Sequence, residues 1–308
     1  MRTDHYFDSC GAGKIHYCCW TPENKPKAVL QIVHGIAEFA ERYDGFARYL
    51  NSLGYLVVAE DHMGHGKSIE EGGVRGYFHD GWFAAVDDTY RLMKDTMAAY
   101  PDIPYVLFGH SMGSFMARTI LAKYPDSGIT AAVICGTGWQ PTFALPVLNK
   151  VIDGICIKTG EQNPNEQLQG MVFGGYNKKI ENPRTEFDWL TRDESIVDAY
   201  IAHPLCGFTA SCGLLRDMLR GIYYVQQMKN LKNMKKHLPV LFIAGQEDPV
   251  GPYGKGVEQA AKAFRKAGMI NVALKLYPGA RHEILNELNR EEVYRDVANW
   301  LQPYVEEM

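Results

Sequence analysis

The sequence predicts an α/β fold with a mostly parallel central sheet, helices on its faces and an inserted helical cap. Short apolar, β-prone runs alternate with longer amphipathic runs at both ends of the chain, which is typical of a parallel sheet covered by helices. Between these ends, helical periodicity replaces the strand pattern. We therefore expect a core of residues 1–139 and 238–308 and a cap of residues 140–237 over the carboxyl edge of the sheet, where ligands of such sheets bind.

The individual elements follow from composition and periodicity. Apolar, β-prone runs predict strands at residues 14–20, 28–35, 55–61, 105–108, 129–136, 239–248 and 272–279. Amphipathic runs predict helices at residues 41–54, 82–100, from 114 onward and 290–305. The first of these helices ends at Gly54, a residue suited to a helix C-cap.

The predicted cap contains several helical patterns, of which the first has two interpretations. Its apolar residues recur at helical spacing and widen into a broad surface: Leu145, Leu148, Ile152 and Ile155, with Phe143 and Val147 beside them. Such a stripe is either a buried core face or the face of a lid that lines an acyl channel and touches lipid when it opens. Residues 192–202 and 213–228 also predict helices.

Composition excludes several classes of protein. The chain has 308 residues and a net charge of −4, which argues against nucleic acid as a partner because nucleic acid requires a concentrated basic surface. No apolar run of signal-peptide length begins the chain, and no run of about 18 apolar residues occurs, so we expect neither secretion nor a membrane span. Its seven cysteines are scattered, without a C-x-x-C pair, and we interpret them as reduced thiols of a cytoplasmic protein.

The segment GHSMG, residues 109–113, places Ser111 between two glycines where a strand gives way to a helix. A turn this sharp crowds the side chains around Ser111, and Gly109 and Gly113 remove the two that would clash. The serine is then held at the carboxyl end of the strand, as in a nucleophile elbow. A glycine-rich turn with a capping serine stays the alternative, since the motif alone is weak evidence.

A serine nucleophile needs a base and a carboxylate that orients the base. Asp248 directly follows a predicted strand and precedes Pro249, which leaves its carboxylate on a loop. His282 lies beyond the last predicted strand, so the order Ser111, Asp248, His282 is the order that this arrangement requires. Glu247 is the competing orienter, and Asp61 also ends a strand but precedes the serine.

An oxyanion intermediate needs two backbone N–H donors close to the serine. Met112, which follows Ser111 at the start of a helix, supplies the first. A loop after an earlier strand should supply the second. His34 and Gly35 let that loop fold closely, so Ile36 is the candidate donor through its backbone amide.

The segments HGIAE…ERY, DHMGHGKS, GHSMGS, AGQEDP and PGARHE resemble the monoacylglycerol lipase and lysophospholipase group of α/β-hydrolases, from about residue 27 to the C-terminus. The resemblance implies the α/β-hydrolase fold and hydrolysis of lipid carboxylic esters through an acyl-enzyme, with no cofactor and no metal. It implies Ser111 as nucleophile, His282 as base and Asp248 as orienter. Ile36 and Met112 would be the oxyanion donors. The implied partner is a small-molecule or lipid ester. The apolar stripe of the cap adds the expectation of a transient contact with a membrane surface.

Two positions depart from the pattern of this group. Phe39 stands where relatives often have His, and His203 stands where they often have Asp. Both are expected to alter the pocket for the alcohol of the substrate. Other acyl hydrolases on the same fold stay open, namely a short-chain carboxylesterase, a thioesterase or a serine aminopeptidase. An aminopeptidase would need acidic cap residues that hold the substrate amine, and Glu161, Glu166 and Glu186 are the candidates. A non-enzymatic ligand-binding member would lack a triad residue, and none is missing.

Overall fold

The computed structural model describes residues 1–306 and confirms the predicted fold class. One eight-stranded sheet has the order β1-β2-β4-β3-β5-β6-β7-β8. The first two strands pair antiparallel and the other six run parallel to one another. The strands are β1 (Arg2–Asp8), β2 (Lys14–Trp20), β3 (Ala28–Val33), β4 (Tyr55–Glu60), β5 (Tyr105–His110), β6 (Ala131–Cys135), β7 (Val240–Gly245) and β8 (Val272–Tyr277).

Helices cover both faces of the sheet, which is why the central strands are buried along their whole length and mostly apolar. On β5, Val106 and Phe108 enter the core on one face, while Tyr105 and Leu107 enter the core on the other. The helices are α1 (Asp44–Ser52), α2 (Gly81–Ala99), α3 (Met112–Lys123), α4 (Leu145–Thr159), α5 (Glu166–Phe173), α6 (Glu194–Ala202), α7 (Cys212–Gln226), α8 (Met228–Leu231), α9 (Lys255–Lys266) and α10 (Arg290–Glu306). Side chains of α1 and α10 pack on the face that Val106 and Phe108 enter, and side chains of α2, α3 and α9 pack on the face that Tyr105 and Leu107 enter.

Strand β1 was not predicted. Its sequence, RTDHYFD, mixes charged and aromatic residues and lacks a run of apolar side chains. It pairs only with β2 at the edge of the sheet, from Arg2 opposite Trp20 to Asp8 opposite Lys14. An edge strand with mostly exposed side chains leaves no hydrophobic pattern for sequence analysis to detect.

The segment between β6 and β7 contains α4 to α8 and contributes no strand to the sheet. Helix α7 packs against α2 and α3: Gly221 lies so close to Trp82 that an added Cβ would be 2.1 Å from the indole, and Arg118 Nη2 donates to Val225 O at 3.3 Å. The boundaries proposed for the cap, residues 140 and 237, stay a prediction. Within residues 1–306, no helix is both long and apolar enough to cross a membrane.

Helix α4 has two different apolar faces. Leu145 and Ile152 are buried in the core that α7 also fills. Val147 and Val151 point to solvent, as does Phe143 just before the helix, which is 85% exposed. The predicted stripe is therefore partly buried core and partly exposed surface.

The interpretation of all seven cysteines as reduced thiols is wrong for two of them. Cys156, in the last turn of α4, and Cys212, the first residue of α7, form a disulfide with their Cα atoms 5.5 Å apart. The other five are free thiols. Sequence spacing did not indicate this pair because the cysteines are 56 residues apart and only the packing of α4 against α7 brings them together.

Candidate active site

Ser111 lies in a strained turn, as the flanking Gly109 and Gly113 predicted. Its backbone has φ 52° and ψ −121°, a conformation that few residues other than glycine adopt. An added Cβ at Gly109 would lie 2.5 Å from Gly113 O, and one at Gly113 would lie 2.0 Å from Val33 O. The turn between β5 and α3 is therefore possible only with glycine at both positions.

Asp248 and His282 are in direct contact. His282 Nδ1 lies 3.0 Å from Asp248 Oδ2, and both side chains are buried. The second carboxylate oxygen of Asp248 accepts a hydrogen bond from the backbone N–H of Val250 at 2.9 Å. These contacts fix the carboxylate on the loop after β7, with one oxygen directed at the imidazole of His282.

Ser111, His282 and Ile36 line one cavity of about 200 Å³ at the carboxyl edge of the parallel strands. Met112 is the first residue of α3, and the first N–H groups of a helix lack an acceptor within the helix. Asp248 does not line the cavity and stands behind His282. The structure thus brings the five predicted site residues to one place.

The segment between β6 and β7 supplies the wall of this cavity that faces the sheet edge. Its contributors include Phe173, Trp189 and Tyr200, and the Trp189 ring lies 5.2 Å from the His282 ring. Polar groups at the wall are Gln169, Asn177 and Glu186. Apart from Glu186, sequence analysis did not single out these residues, because they come from several short helices and loops whose relative placement has no sequence periodicity.

The competing residues have other contacts. Glu247 is exposed and lines a separate hollow with Lys179 and Arg281. Asp61 is buried, where its carboxylate accepts from the backbone N–H groups of Ala40 and Lys67 at 2.8 Å and lies 2.8 Å from His16 Nδ1. Neither carboxylate lines the cavity that contains Ser111.

The two departures from the group's pattern contact each other. The rings of Phe39 and His203 stack with their centroids 4.5 Å apart. Both residues line a second hollow, of about 200 Å³, and neither lines the cavity that contains Ser111. The two departures thus form one aromatic contact beside the cavity, and their effect on the alcohol of the substrate stays a prediction.

One group of potential metal ligands lies on the β1–β2 hairpin. The ligand atoms of Asp4, His16 and Cys18 are all within 4.8 Å of one another. Arg2 and Lys67 already contact the Asp4 carboxylate, at 3.8 and 3.4 Å, and burial raises the pKa of the Cys18 thiol far above its ordinary value. None of the three lines the cavity of Ser111, so we assign them no part in its chemistry.

Three histidines are buried together beneath the loop that carries Ile36. The His34 ring lies 3.9 Å from the His62 ring and 5.4 Å from the His65 ring. Burial and the neighbouring imidazoles lower the pKa of His34 well below its ordinary value, and burial and His62 lower the pKa of His65 to about 4. Both are therefore neutral in the folded protein at neutral pH.

We expect this cluster to make the protein sensitive to acid. Between pH 6.5, the ordinary pKa of histidine, and pH 4, the unfolded chain binds more protons at His65 than the folded chain does, so stability falls as pH falls through this window. The difference in pKa of His65 between the folded and unfolded chain should by itself lower the free energy of unfolding by about 2 kcal/mol from pH 7 to pH 5. The measurement is urea unfolding at both pH values. His65→Asn should reduce the difference, and His237→Asn, at an exposed position, should not.

Two features of this structure define the α/β-hydrolase class: the mostly parallel sheet, and a serine in a tight turn between strand and helix at the carboxyl edge of that sheet. Comparison with known proteins places the chain in this class as a hydrolase of the lipase and esterase type. More closely, the chain belongs to the family described as serine aminopeptidase, S33 (Hydrolase_4), which matches residues 24–289.

Individual relatives agree with this assignment. The chain is 29% identical to the monoacylglycerol lipase of Mycolicibacterium smegmatis over 300 residues, which are 97% of each chain. It is 28% identical to the monoglyceride lipase of Homo sapiens, covering 94% of this chain and 87% of the human one. A thermostable carboxyl esterase from Bacillus coagulans, solved in complex with glycerol, superimposes with a TM-score of 0.92 at 30% identity over 99% of both chains.

Proposed function

We propose that this protein hydrolyses lipid carboxylic esters with a neutral alcohol, of the monoacylglycerol type, through an acyl-enzyme formed on Ser111. The observation that carries the proposal is the arrangement at the cavity. Ser111 and His282 line it together, and His282 is hydrogen-bonded to the buried Asp248. The relatives named as monoacylglycerol lipases support this choice of substrate.

In the proposed first step, Ser111 Oγ attacks the carbonyl carbon of the ester. His282 Nε2 takes the hydroxyl proton, while Asp248 accepts the hydrogen bond from Nδ1 and stabilises the imidazolium that forms. The N–H groups of Ile36 and Met112 stabilise the negative oxygen of the tetrahedral intermediate. The intermediate then collapses, the alcohol leaves with the proton from His282, and the acyl group stays on Ser111.

In the second step, a water molecule takes the place of the alcohol. His282 removes a proton from it, and the resulting hydroxide attacks the acyl carbon. The second tetrahedral intermediate uses the same two N–H donors, and its collapse returns the proton to Ser111 Oγ. A fatty acid is released and the free enzyme is restored.

The charges at the cavity favour a neutral alcohol over a phosphate-bearing one. Three glutamates are among its lining residues, Glu38, Glu186 and Glu283, and no lysine or arginine is among the lining residues that the structure describes. Arg42 lies behind Glu38 and Glu283, paired with both. A phosphate group in the cavity would meet negative charge without a partnering cation, which is unfavourable in a desolvated site.

A second candidate function is that of a serine aminopeptidase, and Glu186 favours it. An exopeptidase must hold the substrate's ammonium group, and Glu186 is the one of three acidic candidates from this segment that lines the cavity. Glu161 is instead paired with Arg216, and Glu166, the first residue of α5, is not among the lining residues. The family description agrees with this alternative, and the substrate panel below separates the two.

The test is a hydrolysis panel of p-nitrophenyl esters from C2 to C16, monoacylglycerols, lysophospholipids and aminoacyl-nitroanilides. We expect monoacylglycerols to have the highest kcat/KM and the nitroanilides to be resistant. Glu186→Gln serves as the matched variant, since it should abolish nitroanilide cleavage if an ammonium group binds there, but spare monoacylglycerols. Rapid hydrolysis of lysophospholipids or nitroanilides with little action on monoacylglycerols would overturn the proposed substrate.

The exposed face of α4 supports a transient contact with a lipid surface, which we include in the proposal. Phe143, Val147 and Val151 are 85%, 65% and 49% exposed and form one apolar surface at the start of the helix. A soluble monomer seldom leaves such side chains together in water without a partner. None of them lines the cavity, so their part would be to bring the protein to the lipid.

We expect Val147→Ser combined with Val151→Ser to weaken binding to phosphatidylcholine vesicles by about 5- to 30-fold, equivalent to about 1–2 kcal/mol of lost apolar burial. Hydrolysis of soluble p-nitrophenyl butyrate and the melting temperature should stay unchanged. Ile152→Ala, on the buried face of the same helix, is the contrasting variant and should lower the unfolding free energy by about 2–5 kcal/mol. Vesicle binding that is unaffected by the double substitution would refute the contact.

The cellular location stays a prediction. Cytoplasmic residence was inferred from reduced cysteines, and the Cys156–Cys212 disulfide weighs against that inference because disulfides are rare in reducing compartments. Cell fractionation with thiol labelling of the native protein would decide it.

A further inference from the structure

A buried ionic cluster joins the loop of Ile36 to the loop of His282. Glu38 Oε1 accepts from the backbone N–H of Gly35 at 2.6 Å, so the chain from Gly35 to Glu38 curls around its own carboxylate. Ala37, inside this curl, has φ 54°, which is costly for a residue with a side chain. The loop therefore depends on Glu38 to hold a conformation that it would not adopt alone.

Arg42 connects this carboxylate to the neighbour of His282. Its Nη1 donates to Glu38 Oε2 at 2.6 Å, and its Nη1 and Nη2 form a fork with the two carboxylate oxygens of Glu283 at 2.7 Å each. Glu283 directly follows His282, and its backbone N–H donates to Leu190 O at 2.7 Å. One guanidinium thus sets the spacing between the candidate oxyanion donor and the candidate base.

The remaining contacts of the cluster make it rigid. Tyr43 donates to Glu38 Oε1 at 2.9 Å, and His110 Nδ1 lies 3.2 Å from the same oxygen. Tyr200 places its ring 4.8 Å from the Arg42 guanidinium and donates its hydroxyl to Ala37 O at 3.0 Å. Burial alone would raise the pKa of Glu38, but His110 and Arg42 hold it well below its ordinary value, so the carboxylate is charged.

We propose that Arg42 is a positioning residue for ester hydrolysis, which bridges Glu38 and Glu283 and thereby fixes the Ile36 N–H relative to His282. This inference rests on the proposed function. If the Arg42 guanidinium is removed, the two buried carboxylates lose their shared cation and cannot reach water. We therefore expect the two loops that carry them to shift apart. A shift of about 1 Å at reacting groups can cost about 10²-fold in rate.

The test compares Arg42→Gln with Arg216→Gln. Arg216 is an ideal control because its side chain has the same 11% exposure and also pairs with two carboxylates, those of Glu161 and Asp217, but it does not line or adjoin the cavity. For p-nitrophenyl butyrate, Arg42→Gln should lower kcat by about 10²-fold with KM within about twofold of wild type. Its affinity for an alkyl boronic acid, which imitates the tetrahedral intermediate, should fall in parallel. Arg216→Gln should keep kcat and lose only thermal stability.

Conservative variants cover the case in which Arg42→Gln fails to fold. Arg42→Lys keeps the charge without the fork, and Glu283→Gln keeps the shape without the charge, so each should lower kcat at constant KM. Unchanged kcat in these variants, or equal behaviour of Arg42→Gln and Arg216→Gln, overturns the proposal. Wild-type protein that neither hydrolyses esters nor reacts with a fluorophosphonate at Ser111 overturns the proposed function and this inference together. A reactive wild type with indifferent Arg42 variants overturns this inference alone.

Discussion

Ser111→Ala is expected to lower kcat for ester hydrolysis by about 10⁴-fold or more while leaving the fold intact. Ser111 Oγ is the atom that would bond to the substrate, and alanine removes it without adding volume to the crowded turn. The remaining rate would come from the oxyanion donors and from binding, which persist without the nucleophile. The measurement is kcat on p-nitrophenyl butyrate, with circular dichroism to verify the fold.

Labelling by a fluorophosphonate provides the control for this prediction. Wild-type protein should gain one adduct at Ser111, and Ser111→Ala should gain none. Ser195→Ala, in the first turn of α6 and not among the residues that line the cavity, should react like wild type. A Ser111→Ala protein that keeps more than about a hundredth of the wild-type kcat would exclude Ser111 as the nucleophile.

Asp248→Asn is expected to lower kcat by about 10⁴-fold. The carboxylate accepts the hydrogen bond at His282 Nδ1, which leaves Nε2 free to take a proton from Ser111. An asparagine that donates its N–H to Nδ1 would stabilise the opposite tautomer, with the proton on Nε2, and the base would be lost. The fold should survive because the amide has the same shape and its oxygen still accepts from Val250 N–H.

Glu247→Gln is the matched control for this substitution. Glu247 precedes Asp248 and carries the same charge, but it is exposed and lines a different hollow. Its substitution should change kcat by less than about threefold. Severe loss in Glu247→Gln with mild loss in Asp248→Asn would mean that Glu247 orients the base.

The sequence predicted the serine turn well because its constraints are local. Gly109 and Gly113 are required by steric contacts within a few residues and with one neighbouring strand, so their spacing in the sequence reports the geometry directly. The positions of Asp248 and His282 were predictable for a related reason: both follow strands, and the carboxyl ends of parallel strands meet at one edge of the sheet.

Other features depend on tertiary packing and left no local signal. The periodicity of α4 predicted the helix, but Leu145 and Val147 are both apolar, and only the position of α7 decides which of them is buried. The contact between Phe39 and His203 likewise joins residues far apart in the chain, so their two departures from the group's pattern looked independent in the sequence.

The Cys156–Cys212 disulfide has a consequence for the covalent topology of the cavity. Every residue that the segment between β6 and β7 contributes to the cavity wall lies between these two cysteines. The disulfide therefore closes the chain of this wall into a ring. A ring of this size lowers the conformational entropy of the unfolded chain, which stabilises the folded protein by about 4 kcal/mol. A single backbone cut within the ring would leave both ends attached, so the nicked protein would stay one covalent molecule until a thiol opened the ring.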